Sequence, residues 1–526
     1  MRIRQQVAAG ASPFLFVAYS IAFLFSANVG QVPLGAGLRS LLLGWLITAV
    51  NLYILLALTR DLERAAVYTS LLLILFFSYG HTYQALASFP SEALSLGRHR
   101  ALVPVYLLLL ALGLILLRRV SDATRWARAL TLISAGLLII SLASWTWSTL
   151  AAQRAESRVE TAELDPATGR PIELADNLNL QPDIYYIILD AYGRADSLNR
   201  LLGIDNQGFV ASLESRGFFV ASCAQANYAQ TELSLASSLN VAHLDDLGDT
   251  FSADRDDRQG LRALIQDSFV EQFLEAKGYE TVAFETGFPF SELRGVDRFI
   301  APTSRGLLEE LTPFEYALLR STAGLLVMDG LRVLFPAPDR ASPAWTQRHI
   351  ERSLLTLDML GSGDLGPGPQ FIFAHVIPPH TPFIFGPSGP AEVPPDYESA
   401  SATYATRMDW YQRGYADHLQ YLNPRILEIV DQILATSDPE PVILIQGDHG
   451  PEEGGSGDRM AILSAYYLPG RSNLLYESVS PVNSFRMVFN RLWGAGMPLL
   501  EDTAYFSTYN RPFDYSIQDN AGCPAD

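Results

Sequence analysis

Asp448 and His449 stand next to each other between Gly447 and Gly450, directly after the apolar run Val442–Gln446. A carboxylate oxygen beside an imidazole nitrogen suits a borderline divalent ion such as Zn²⁺ or Mn²⁺. The purely structural use of the dipeptide is a buried pair closing a turn. A second acid, Asp190, ends the run Ile184–Leu189 ahead of Gly193. It reads as a metal ligand or as the cap of the next helix. Thr231 precedes a small-residue stretch with Ser234, Ala236, Ser237 and Ser238. A hydroxyl at a helix N-terminus faces unpaired N–H groups and the positive end of the dipole, a setting for phosphate. It serves equally as a plain N-cap. His375 and His380 lie five apart in FIFAHVIPPHTPF, where proline lowers the entropy lost in placing a side chain. His375 falls on the apolar run itself and His380 on its exit. Arg194 and Arg459 follow two of these runs and carry the charge that neutralises phosphate, or are simply solvated.

Such residues act together only if the chain brings them to one place. Four short apolar runs, Ile184–Leu189, Thr281–Phe284, Phe371–Val376 and Val442–Gln446, are bounded by Gly, Pro or Asp. Between them lie the helix-like segments Leu261–Lys277, Tyr411–Leu434 and Val482–Trp493. Strands buried on both faces and alternating with helices predict an α/β domain over 182–526, its largely parallel sheet covered by helices. In such sheets function collects past the carboxyl ends of the strands, where Asp190, His380 and Asp448–His449 fall. Residues 151–181, with Pro166, Gly169 and Pro171, read as a juxtamembrane linker. Pro/Gly-rich pieces near Pro336–Pro343, Gly361–Pro369 and Gly386–Pro395 read as surface loops, and no internal repeat is present.

The first 150 residues differ in kind. Apolar stretches at about Phe14–Val29, Leu38–Leu58, Ala65–Tyr79, Leu102–Leu117 and Ala129–Leu150 are long enough, or nearly so, to span a bilayer. They predict an α-helical membrane domain of about five spans. Arg2, Arg4, Arg60, Arg64, Arg118, Arg119, Arg125 and Arg128 flank one side, against Arg39, Arg98 and Arg100 on the other. That bias predicts a cytoplasmic N-terminus and an extracytoplasmic domain after the fifth span. No span carries a buried acid, Lys or Arg of the kind that marks an ion path, which disfavours transport. Eleven Arg against four acids make this part +7, so the other 376 residues carry −26 of the overall −19. An acidic body repels phosphate backbones and argues against nucleic-acid partners. Two cysteines, Cys223 and Cys523, exclude a disulfide scaffold or a Cys-built zinc module. They either pair outside the cytoplasm or remain two buried thiols.

The order Asp190, Thr231, His380, Asp448–His449 over about Pro182–Trp493 resembles the alkaline phosphatase superfamily. More narrowly it is similar to the sulfatase-like, membrane-anchored phosphotransferases, the group of lipoteichoic acid synthases and lipid A phosphoethanolamine transferases. The closing VNSFRMVFNRLW is similar to that family's last helix. The resemblance implies one divalent metal, Zn²⁺ or Mn²⁺, on Asp190, Thr231, Asp448 and His449, with Thr231 as nucleophile. It also implies substrate contacts from His380 and His375. The activity implied is transfer of a phosphoglycerol or phosphoethanolamine headgroup from a membrane phospholipid to an envelope glycan or lipid. A phosphothreonine would be the intermediate, and the bacterial cytoplasmic membrane the location. Two departures stand out. The nucleophile region reads Gln230-Thr231-Glu232-Leu233-Ser234, without the C/S-x-P-x-R that sulfatases convert to formylglycine. No D-x3-H segment supplies a second metal set, and Ala461 stands where some phosphoethanolamine transferases have a histidine. A hydrolase with water as acceptor uses the same residues, and a catalytically silent envelope-assembly protein would not need them.

Overall fold

Long apolar runs wind into helices because lipid offers the backbone no hydrogen-bond partner. Among the described residues of the computed structural model, five helices occupy the front of the chain: α1 (Ser12–Ala27), α2 (Ala36–Thr59), α3 (Leu62–Ala87), α4 (His99–Arg118) and α5 (Ala123–Glu156). Four of them contain stretches long and apolar enough to cross a membrane: Gly37–Thr59, Leu62–Leu86, His99–Arg118 and Ala123–Thr146. The first, apolar over Ser12–Ser26, is shorter. The structure describes residues 10–27, 36–87, 99–119, 122–156, 163–174, 181–248, 251–303 without 254 and 257, 313–328, 344–391 without 364 and 367, 404–470, 474–520 and 523. Arg2, Arg4, Arg98 and the Pro336–Pro343 loop lie outside them.

The chain divides into two units, Met1–Ala151 with Arg305–Ala341, and the rest. The second piece of the first unit departs from the expected boundaries, which gave all of 182–526 to the outer domain. Helix Pro313–Arg320 packs among the membrane helices: Phe314 stacks on Phe25 at 4.6 Å and Glu315 pairs with Arg39. Gly80 permits this, since a Cβ there would lie 2.3 Å from the Arg320 carbonyl oxygen.

The second unit is built on a seven-stranded sheet. Its strands are β1 (Ile184–Leu189), β2 (Phe219–Val220), β3 (Glu280–Phe284), β4 (Arg298–Ile300), β5 (Gln370–Val376), β6 (Val442–Gln446) and β7 (Ser464–Tyr467). They lie in the order β2-β7-β6-β1-β5-β3-β4, and β6, β1, β5, β3 and β4 run parallel. Only β7 opposes its neighbours. All four expected strands are therefore present. Successive side chains point to opposite faces, so Ile184, Tyr186 and Ile188 join one apolar cluster while Tyr185, Ile187 and Leu189 join the other. Helices covering this sheet include α6 (Thr231–Leu239), α7 (Tyr404–Thr436) and α8 (Pro481–Trp493). The expected single helix Leu261–Lys277 is instead two, because Ser268 accepts from the Glu271 N–H at 3.3 Å and caps a new start.

Part of the expected linker folds onto this unit. Asp165 is buried and takes two bonds from the fully buried Arg486 of α8, at 2.6 and 3.1 Å. Such a planar, bidentate pair holds both direction and distance. Cys223 and Cys523 form a disulfide that closes 300 residues. It settles the alternative left open by sequence.

Candidate active site

Strands β6, β1 and β5 are neighbours and parallel, so their carboxyl ends share one edge of the sheet. Asp190 follows β1, His375 is the sixth residue of β5, and Asp448 lies two residues beyond β6. The turn after β1 is tight. Ala191 has φ 60°, a left-handed conformation that a side chain disfavours by about 1–2 kcal/mol. Tyr415 of α7 holds it there: its hydroxyl donates to the Ala191 carbonyl at 2.8 Å and accepts from the Gly193 N–H at 3.1 Å. The Ala191 N–H donates to Asp448 Oδ1 at 3.0 Å. This leaves Asp448 Oδ2 and Asp190 Oδ1, two buried oxygens without a hydrogen-bond donor.

His449 completes the group. Its Nδ1–H donates to the Gly450 carbonyl at 2.8 Å, which fixes the tautomer and turns the Nε2 lone pair inward. Nε2 lies 3.4 Å from Thr231 Oγ1, 3.6 Å from Asp190 Oδ1 and 3.7 Å from Asp448 Oδ2. Burial lowers the His449 pKa, favouring the neutral form a ligand requires. Two donorless carboxylate oxygens and a hydroxyl thus lie within 3.4–3.7 Å of one neutral imidazole nitrogen. Buried anionic oxygens are costly unless a cation or donor satisfies them, so these atoms fit a divalent ion. Thr231 is the first residue of α6, after the N-cap Gln230, and is half-buried among buried neighbours. Eight of the nine α6 residues are buried.

The remaining expected residues sort by position. His375 Nε2 lies 3.3 Å from Asp190 Oδ2, and its Nδ1 meets Ser291 Oγ at 3.0 Å. It thus stands behind Asp190 in a buried position. Asp190, His375 and Asp448 form one set of mutually close donor atoms, and Asp190, His380 and His449 another. His380 contacts the Thr381 carbonyl at 2.6 Å through Nδ1 and Glu452 Oε1 at 2.9 Å through Nε2. Arg459 Nε donates to the Ala229 carbonyl at 2.7 Å, two residues before Thr231. Its charge lowers the pKa of both His449 and Glu452. Arg194 is not brought into the group. It is buried, and its guanidinium binds Asp196, the Ala224 carbonyl and Asn520 Oδ1. Burial against these oxygens ties the tail to the β1 turn and leaves it outside the donor cluster.

Electrostatics bind the edge together. Burial alone would raise the Asp190 carboxyl, but His380, His375 and His449 outweigh it and hold the group below the usual carboxylate range. Burial likewise opposes charge on His380, yet Asp190 and Glu452 push it up to about 10. Glu452 falls to about 2 because His380 overcomes the effect of burial. Sequence reasoning missed Glu452, Tyr415 and Ser291. Glu452 sits in the same stretch as Asp448, but nothing in the spacing separates it from Glu453.

No family model matches the chain, and no curated protein matches it. Solved structures that align with it include the C-terminal periplasmic domain of EptC from Escherichia coli in complex with Zn. That match has 11% identity and TM-score 0.42, and covers 67% of this chain and 96% of that one. The integral membrane protein lipooligosaccharide phosphoethanolamine transferase A from Neisseria meningitidis aligns at 14% identity and TM-score 0.37, over 92% and 95%. The lipoteichoic acid synthase LtaP from Listeria monocytogenes aligns at 12% and 0.36, over 64% and 80%.

Proposed function

We propose that the chain is a membrane-anchored, metal-dependent phosphotransferase. It moves a phosphoglycerol or phosphoethanolamine headgroup from a phospholipid to an envelope glycan or lipid through Thr231. The observation that carries this is the meeting of Thr231 Oγ1, at a helix N-terminus, with Asp190 Oδ1, Asp448 Oδ2 and His449 Nε2. Zn²⁺ or Mn²⁺ on these four residues would lower the pKa of an alcohol and neutralise phosphate charge.

The residues of the chain do the rest. The first N–H groups of α6 lack helical partners and face the phosphoryl oxygens. Thr231 Oγ gives up its proton and bonds to phosphorus as the bond to the diacylglycerol oxygen breaks, and that oxygen leaves as the alcohol with a proton in exchange. The acceptor hydroxyl then forms its own bond to phosphorus, and Thr231 leaves as the acceptor's proton returns to its Oγ. Arg459 adds positive charge beside Ala229, and His380 donates N–H at the rim. The headgroup class rests on the resemblance of the residue order. An extracytoplasmic position is supported by the disulfide, which needs an oxidising compartment, and by the arginine bias of the flanks.

The test is intact mass of the detergent-solubilised protein after incubation with Mn²⁺ or Zn²⁺ and mixed phospholipids, with diacylglycerol followed in parallel. A headgroup-sized adduct in wild type and none in Thr231→Ala is expected. Diacylglycerol release without an adduct on Thr231 rejects the nucleophile. Free headgroup phosphate as the sole product assigns the site to a hydrolase.

A further inference from the structure

Both ring nitrogens of His380 face oxygen. Nδ1 meets the Thr381 carbonyl, which only accepts, and Nε2 meets a Glu452 carboxylate oxygen. Each nitrogen therefore carries a hydrogen and donates, and a donating nitrogen has no lone pair for a metal. His449 has the opposite arrangement, with one nitrogen on the Gly450 carbonyl and the other open towards the carboxylates. Yet His380, like His449, stands near Asp190, since all three belong to one set of donor atoms within 4.8 Å of one another. What separates the two histidines is Glu452. That residue is itself held: its N–H donates to the Tyr411 hydroxyl at 2.9 Å, and its Oε2 accepts from Thr381 Oγ1 at 3.2 Å. The Thr381 side chain and carbonyl thus clamp the acid and the ring together. The backbone N–H of His380 meanwhile donates to the Asp190 carbonyl at 3.0 Å, which ties this residue's main chain to the ligand turn.

We propose that Glu452 keeps His380 out of the metal's coordination sphere, so that the ion is held by Asp190, Thr231, Asp448 and His449 while His380 remains an N–H donor at the rim. Glu452 is a positioning residue in this arrangement, acting through His380. The inference rests on the metal reading above and adds to it the residue that keeps the nearby His380 off the ion.

The experiment uses the full chain in detergent, stripped with a chelator and titrated with Co²⁺, whose visible bands report the number and kind of ligands. Wild type and His380→Ala should share one spectrum and agree in Co²⁺ affinity within about twofold. Glu452→Ala releases Nε2, and the bands should shift with affinity rising several-fold. Adding His380→Ala to that variant should restore the wild-type spectrum. Glu452→Gln still offers an oxygen to Nε2 and should stay with wild type, which separates loss of the contact from misfolding. A changed spectrum or weaker binding in His380→Ala alone overturns the inference, as does a Glu452→Ala spectrum equal to wild type. A wild-type chain that takes up no Co²⁺ overturns the metal reading itself, and this inference with it.

Discussion

Glu271 is buried with its Oε2 unpaired, and burial together with Glu275, Asp267 and Asp297 pushes its pKa up from 4.5 to about 8. Between those two values the folded chain keeps a proton that the unfolded chain has lost. Stability therefore falls as pH rises through that window, and the cost, on the order of a few kcal/mol, is complete above it. Glu271→Gln should melt close to wild type near pH 4.5 and progressively higher than wild type towards pH 8. Equal melting curves across the range would show that Glu271 ionises freely in the fold. At the site, Thr231→Ser keeps a hydroxyl and should still form the adduct, whereas Thr231→Ala should lose at least about 10³-fold in turnover. Asp448→Asn removes an anionic oxygen from the proposed metal site. Added Zn²⁺ should then no longer raise the melting temperature, where wild type gains about 4 kcal/mol at roughly a thousandfold excess over Kd. A zinc-induced rise that survives Asp448→Asn would place the ion elsewhere.

The loop after β6 works because the two glycines that flank Asp448 and His449 have no side chain. A Cβ on Gly447 would lie 2.4 Å from the Tyr192 carbonyl oxygen, and one on Gly450 2.2 Å from that of Asp458. Either alanine forces the backbone of Asp448 and His449 to move. Gly450→Ala should weaken Zn²⁺ binding at least about tenfold and cost about 1–3 kcal/mol, read by competition titration and melting. Helix α6 has its own anchor at the far end. Arg486 of α8 donates to the Val241 carbonyl at 2.7 Å just past α6 and binds Asp165 with its other nitrogens. Replacing Arg486 with Met takes the counter-charge from buried Asp165, leaving it only the Ala167 N–H and the Thr168 hydroxyl as donors, at a cost of about 3–5 kcal/mol. Pairing it with Asp165→Leu should recover much of the loss, and a double variant no better than the single would assign the cost to the contacts with the Val241 and Pro498 carbonyls.

Across the whole molecule, the Cys223–Cys523 bond closes 300 residues, and Asn520 links it inward by donating to the Cys223 carbonyl at 2.6 Å and accepting from Arg194 at 3.0 Å. Reduction, or Ser at both positions, should lower stability by about 2–5 kcal/mol, measured as a melting shift under reductant that the double variant lacks. The same range of distances along the chain explains what could be read in advance. The four strands and the residues at their ends were legible because a buried strand needs a continuous apolar run, and Gly, Pro or Asp must end it. The four membrane-capable helices were legible for the same reason, through length and hydropathy. No such pattern announces a partner. Thr381 meets Glu452 across 71 residues, His375 meets Ser291 across 84, Tyr415 meets Ala191 across 224, and Arg486 meets Asp165 across 321. Arg194 and Arg459 read alike in sequence, yet one is buried on the tail and the other lies beside the helix that Thr231 opens. Local sequence determined which elements form and which residues end them, because those depend on near neighbours and burial. Only the tertiary structure decided which polar atoms are satisfied and which are left without a donor, because that depends on what the folded chain brings alongside.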